Sequence, residues 1–367
     1  MKNQYLVILF FLYLFYSCSE KSKINYYENV INGKQIILLK SNEFTILEDT
    51  ANFIGRFNDQ KFINSNLIIA DIIQPALFFI NKNGHITKIL RWRKGEGPGE
   101  VYKIGNFEII RDRIYICDQG NYRWTVFDTS GYYIKTARPF KNPRTKDNKY
   151  YFDLWNVHQI GDSLVCSITD SRYNYDFSQY KSKTLALLDS TLEIKKIFGL
   201  TDEIYGKIRY YDPTSTVTVD KDKNIYACQR ATFRIYKYDK NGNFIKAFGF
   251  KKKFRIIEED FARNLSIDEI HRKTKTFSAT VGLFYSKKGF IIQQFANVTD
   301  KFFITRDLTD RQNYIKVYDT DGNYIKSDIL LPGLLIAVND NGQLLIMESD
   351  KPGDRKIVTY DVKIVGD

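Results

Sequence analysis

The chain has 367 residues, a formal net charge of +12, and 26 Tyr and 27 Phe against only two Met. That aromatic weight argues against a helical fold and favours pleated, half-buried surfaces. The length would allow two domains, although large all-β folds run this long as one, and the basic residues are dispersed rather than gathered into a stripe.

The N-terminus opens with Lys2, an uncharged apolar run over residues 5–16, and then Ser17-Cys18. A run of that length falls short of the roughly 20 residues needed to cross a bilayer. The order of charge, short apolar stretch and small residue is that of an export signal over 1–17. A cysteine directly after it matches the bacterial lipoprotein type, with Cys18 acylated as the mature N-terminus and a membrane-anchored protein, outer membrane by expectation. Residues 18–42 then read as a tether and first strand, and 43–367 as the folded domain. Glu43-Phe44-Thr45-Ile46-Leu47 is β-prone and is placed to pair with the last strands.

From residue 67 a unit repeats: a short apolar strand, a second strand, Asx-x-x-Gly, and a third strand. It reads LIIAD then LFFINKNGHITKIL at 67–90, and IYICD then WTVFDTSGYYIK at 114–135. It returns as IYACQ then RIYKYDKNGNFIKAFG at 225–249, with half-copies at 185–199 and 314–326. The Asx side chain sits at the turn entry, and the glycine takes the positive φ that other residues resist. Turn entries at 81, 128, 189, 239 and 319 are mostly spaced near the roughly 40–50 residues of a four-stranded propeller blade. With the closing strands 344–348 and 356–364 the count is six units. Cys117, Cys166 and Cys228 occupy similar strands of separate units, which holds them apart and predicts buried thiols without disulfides.

Between the first two units lies Trp-Arg-Lys-Gly-Glu-Gly-Pro-Gly-Glu, residues 92–100. Its glycine spacing fits neither a P-loop nor a dinucleotide fingerprint. Pro98 lacks an N–H, and Glu96 and Glu100 would repel a phosphate. It reads as a blade-to-blade crossover.

The run from Gly95 to Gly131, with IYICD, NYR and WTVFD-x-x-G, resembles an NHL repeat. With the leader, the chain resembles the six-bladed β-propeller lipoproteins of Bacteroidetes bacteria. That resemblance implies an all-β, six-bladed propeller with NHL-like blades of about four antiparallel strands, and carries no common activity. Within 251–275, Ile257, Phe261 and Leu265 recur at helical spacing, and Ser266-x-x-Glu269 is a capping box, predicting a short helical insert near 255–275.

Candidate binding residues lie in the non-repetitive stretches: Trp155; Arg172, Tyr173, Tyr175 and Tyr180; Arg209, Tyr210 and Tyr211. Rings beside polar groups suit carbohydrate. Asp71 and Asp118, each ending a strand, could hold a divalent cation in a channel; the competing reading is that they bond loop amides. His85, His158 and His271 do not assemble into a metal motif, no catalytic residue is assigned, and no cofactor is predicted. The expected function is an exported, lipid-anchored, monomeric binding scaffold for an envelope glycan, peptide or protein partner. The alternative is a propeller lyase or hydrolase with a channel cation. Export removes nucleic acid from the expected partners.

Overall fold

A computed structural model of the chain describes residues 26–140, 150–170, 182–206, 208, 213–258 and 265–366. The leader and Cys18 lie outside them. The described chain begins with β1 (Tyr26–Tyr27) and β2 (Val30–Thr45). The first blade is β3 (Phe57–Ile63), β4 (Asn66–Asp71), β5 (Ala76–Ile80) and β6 (Ile86–Arg91), and the second is β7 (Ile104–Ile110), β8 (Arg113–Asp118), β9 (Arg123–Asp128) and β10 (Tyr133–Ala137). The third is β11 (Tyr150–Ile160), β12 (Ser163–Asp170), β13 (Leu185–Leu188) and β14 (Ile194–Phe198). The fourth is β15 (Ser215–Val219), β16 (Ile225–Gln229), β17 (Ile235–Tyr238) and β18 (Phe244–Phe248), with β1 added on its edge. Each is an antiparallel meander.

The remaining strands are β19 (Ser278–Ser286), β20 (Phe290–Asn297), β21 (Gln312–Asp319), β22 (Tyr324–Leu330), β23 (Leu334–Val338), β24 (Leu344–Met347) and β25 (Lys356–Gly366). With β2 they form one eight-stranded sheet in the order β19-β20-β21-β22-β2-β25-β24-β23. The sequence reading expected two separate blades here. The difference comes from β2, which pairs parallel with β22 at Val30↔Tyr324 and antiparallel with β25 from Lys34↔Gly366 to Thr45↔Lys356. The pairing expected at residue 43 therefore extends back as far as Lys34.

Turn chemistry sets where the outer strands end. The Oδ1 atoms of Asn81, Asp128, Asp189 and Asp239 accept from the amides two and four residues ahead, at 2.8–3.1 Å. Gly84 needs its glycine twice over: φ is +85, and a Cβ there would sit 2.0 Å from the Thr45 carbonyl oxygen. In the degenerate copy Leu192 adopts φ +71 and is buried against Cys166 and Leu188, so packing holds a conformation that most side chains avoid.

The apolar core lies between neighbouring blades. Ile68 and Leu77 of the first pack with Phe107 and Ile114 of the second, all essentially buried. Each such side chain contributes about 1.5–3 kcal/mol. Cys117, Cys166 and Cys228 are buried and unbridged. Residues 92–100 form the crossover from β6 to β7. Arg123, 4% exposed, donates to the carbonyls of Glu96, Gly97 and Glu100 and to Asp118 Oδ2. Helix α1 (Ile267–Thr274) starts at the predicted Ser266–Glu269 capping box, and α2 (Asp300–Thr305) occupies the connection from β20 to β21. Phe261 lies outside the described residues.

The ends of the described chain are bolted together by one buried cation. Arg355 Nη1 lies 2.6 and 2.8 Å from the two Glu48 oxygens, and its Nε donates to Asp350 at 3.0 Å. The Arg355 and Glu48 side chains are 1% and 4% exposed. Removing one member of such a pair leaves the other charge buried, which costs about 3–5 kcal/mol. Arg355→Met should therefore lower stability by about that amount in urea unfolding, while Arg355→Met with Glu48→Leu should recover most of it.

Candidate functional site in the central channel

The first strand of each unit is the innermost. β3, β7, β11, β15, β19 and β23 lie side by side in that order, and β23 returns to β3. They enclose a cavity of about 460 Å³ bounded by residues of all six. Alternation along a strand puts Asp59 and Lys61 of β3 on the same face, and that face turns toward β7. Asp59 Oδ2 accepts from the Phe107 amide at 3.1 Å. Lys61 Nζ donates to Glu108 Oε1 at 2.5 Å and to the Val157 carbonyl at 2.8 Å. One lysine thus ties three blades. His158 of β11 brings Nδ1 to 4.0 Å from the same Glu108 oxygen.

The electrostatics follow from this packing. The Lys61 and Glu108 side chains are 11% and 7% exposed. Burial would push Lys61 down, but the Glu108 and Asp59 carboxylates outweigh it and hold its ammonium charged. Burial pushes the Glu108 and Asp59 carboxyls up, against the pull of Lys61. Burial, with the Lys61 charge, holds His158 well below 6.5 and therefore neutral at pH 7. Farther along the same cavity, Arg311 precedes β21; burial and the nearby Arg230 bring its guanidinium down to about 10.

A smaller cavity of about 340 Å³ opens among the turns near Asn81 and Asn339. Its only charged borders are Lys82 and Asp340, and its Asn339 and Gln343 side chains already bond each other at 2.8 Å. The channel, where opposite charges converge out of bulk water, is the better candidate.

Of the residues expected from sequence, Asp71 and Asp118 fall elsewhere. Asp71 Oδ1 and Oδ2 accept from the amides of Gly55, Arg56 and Ile73 at 2.6–3.2 Å. Asp118 accepts from the amides of Tyr102 and Lys103, from Asn121 Nδ2 and from Arg123 Nε. Both therefore clamp crossover loops. Among the described residues no three His, Cys, Asp or Glu side chains gather as a metal-binding group. Arg172, Tyr173, Tyr175, Tyr180, Arg209, Tyr210 and Tyr211 lie outside the described residues, as does the side chain of Trp155, whose backbone belongs to β11. Asp59, Lys61, Glu108 and Arg311 were not singled out from sequence. The available signal was the pair Asp59 and Lys61 alternating through an otherwise strand-like segment.

No family model matches the chain, and no curated protein matches it by sequence. Solved structures do match. A DUF4221-family protein from Bacteroides vulgatus aligns with a TM-score of 0.69 at 12% identity, over 91% of this chain and 99% of that one. A Bacteroides fragilis protein named as exported aligns with a TM-score of 0.55 at 14% identity, over 93% and 98%. Virginiamycin B lyase from Staphylococcus aureus aligns at 0.43 and 10% identity, over 89% and 99%. At these identities the likeness to the two Bacteroides proteins is one of fold, and the sheets described above make that fold propeller-like. Among the described residues no helix is long and apolar enough to cross a membrane.

The neutrality of His158 has a pH signature. Its folded pKa is depressed, so between that value and 6.5 the unfolded chain takes up a proton that the channel refuses. The contribution is intact above pH 6.5 and lost as pH falls below it, by at most about 1.4 kcal/mol per pH unit before screening by channel water. Urea unfolding at pH 7.5 and 5.5 should show a steeper loss for the native protein than for His158→Gln.

Proposed function

We propose that the protein is an exported, lipid-anchored, monomeric six-bladed propeller that binds an envelope glycan or peptide in its central channel. The eight-stranded sheet is read as two blades, β19–β22 and β23–β25 with β2, which the parallel β2–β22 contact joins edge to edge. The six innermost strands closing on themselves support that count. The outer-membrane anchor rests on Cys18 after the export signal, and on the fold shared with an exported protein.

The observation that carries the binding reading is the convergence of Asp59, Lys61, Glu108, His158 and Arg311 on one cavity. A fold stabilised by apolar contacts between blades gains little from charges held in its axis, since each must be desolvated and matched. Their cost is offset where a polar ligand uses them. A cavity of about 460 Å³ takes one or two sugar rings or a short peptide end. Trp155, Arg172, Tyr173, Tyr175, Tyr180, Arg209, Tyr210 and Tyr211, the ring-bearing and basic candidates from the sequence, are proposed to extend the contact to longer chains.

A second reading, a lyase or hydrolase, draws on Glu108. A carboxyl with raised proton affinity beside a neutral imidazole is a plausible acid–base pair. A cation at Asp71 or Asp118 would first have to displace the amides those carboxylates hold.

The test is a glycan and peptide array probed with the native protein and with Asn156→Trp, which fills the channel from β11. Binding is expected for the native protein and lost in the variant. Equal binding by both would place the site elsewhere and end the channel reading. A captured ligand recovered chemically altered would favour the enzyme. In cells, Cys18→Ser should move the protein from the membrane fraction to the soluble one; an unchanged distribution would remove the anchor.

A further inference from the structure

The channel's charges are unevenly matched, and the mismatch points to the kind of ligand it takes. At one side Lys61 meets Glu108 and Asp59, so cation and anion are in contact. At the other side Arg311 stands differently. It follows the 3-10 turn Leu308–Asp310 and directly precedes β21, so its backbone is fixed at both ends. Its Nε donates to the Leu308 carbonyl at 3.3 Å, and its guanidinium carbon lies 5.7 Å from the centre of the Phe302 ring. These two contacts orient the guanidinium plane. Neither Nη group has an acceptor among the described residues, and Arg311 forms no ion pair there. The charge most felt by Arg311 is another arginine, Arg230.

Elsewhere the fold treats arginine at this position in the opposite way. Arg123 begins the third strand of its blade, and Arg234 and Arg355 directly precede theirs. Each is matched: Arg123 to Asp118, Arg234 to Asp202 and Glu203, Arg355 to Glu48 and Asp350. Arg311 precedes β21, the third strand of its own meander, and has no carboxylate partner among the described residues. A guanidinium that is oriented, partly desolvated, borders a cavity and has both Nη groups without an acceptor among the described residues is arranged for a planar oxyanion, which accepts two parallel N–H bonds.

We infer that Arg311 is the anion-recognising residue of the channel and that the ligand carries a carboxylate, as a uronic-acid sugar or as a free peptide C-terminus. This rests on the proposed channel-binding function and deepens it. A carboxylate fits better than a phosphate dianion because, among the described residues, only one guanidinium borders the cavity, while Asp59 and Glu108 border it too and oppose a second negative charge. The same two carboxylates, against the single Lys61, leave their side suited to a ligand's hydroxyl or ammonium groups. Arg311 therefore also sets ligand direction, with the acidic end toward the β20–β21 connection.

The experiment uses the full mature protein and four soluble probes: a galacturonate disaccharide, its methyl ester, an N-acetyl tripeptide with a free C-terminus, and the same tripeptide as its amide. Inorganic phosphate serves as the competing oxyanion. Calorimetric titration is expected to show one acid probe binding at least about tenfold more tightly than its neutral partner. Arg311→Gln should abolish that preference, and Arg311→Lys should retain part of it. Whichever acid binds identifies the source, sugar or peptide. Stability separates recognition from a structural role. Because Arg311 is an unmatched, partly desolvated cation, Arg311→Gln without ligand should melt at the same temperature as the native protein or higher; a structural arginine would melt lower. Equal binding of acid and neutral probes, or an acid preference that survives in Arg311→Gln, would overturn the assignment while leaving channel binding intact. Tighter binding of phosphate than of either acid would also overturn it. Binding of none of the probes would sink both.

Discussion

A ring of blades is stable only if its first and last strands share a sheet, and everything else in this protein depends on that closure. Here β2 pairs with β25 along nearly its whole length, and Arg355 reaches across to Glu48 beside the seam. Before it pairs with β25, the N-terminal segment also lies against β18, through β1, and against β22, through the start of β2. The chain's start is therefore a strap that joins the fourth blade to the eight-stranded sheet. Cooperative stability follows, because opening the seam would expose both the interblade core and the buried Arg355–Glu48 pair.

Closure is also what makes the channel chemistry available. Lys61 bonds partners in two neighbouring blades only because the ring fixes their distance. The proton affinities of Glu108 and His158 are set by burial that no single sheet could supply. An open array of the same sheets would leave these groups in water, with ordinary titration and little affinity for a small ligand. Site and fold are thus one construction. The crossover at 92–100 shows the same economy, since its glycines make room for Glu100 and Arg123 holds its carbonyls.

The outer strands were legible in the sequence because a local rule writes them. Asx-x-x-Gly and the alternation around it depend on hydrogen bonds within five residues, so the pattern survives in 81–84, 128–131, 239–242 and 319–322. The capping box at Ser266 is a local signal of the same kind. The innermost strands follow a different rule. Their side chains face the axis and the neighbouring blade, so the polar run Asn58-Asp59-Gln60-Lys61 is set by partners about fifty residues away, in β7. No local template contains that information. The sharing of one sheet by the last seven strands was hidden for the same reason, being decided by β2 from the far end of the chain. Asp71 and Asp118 stood out in sequence because they repeat, and they repeat because every crossover needs an amide acceptor.

The account's central claim is that the closed axis is a ligand site. A crystal structure of the protein with the ligand found in the array screen tests it most directly. The account predicts the ligand inside the ring, touching both the Lys61–Glu108 pair and Arg311, with the blades unmoved. A ligand seated on an outer blade edge or over α1 and α2, with the channel holding only water, would contradict it.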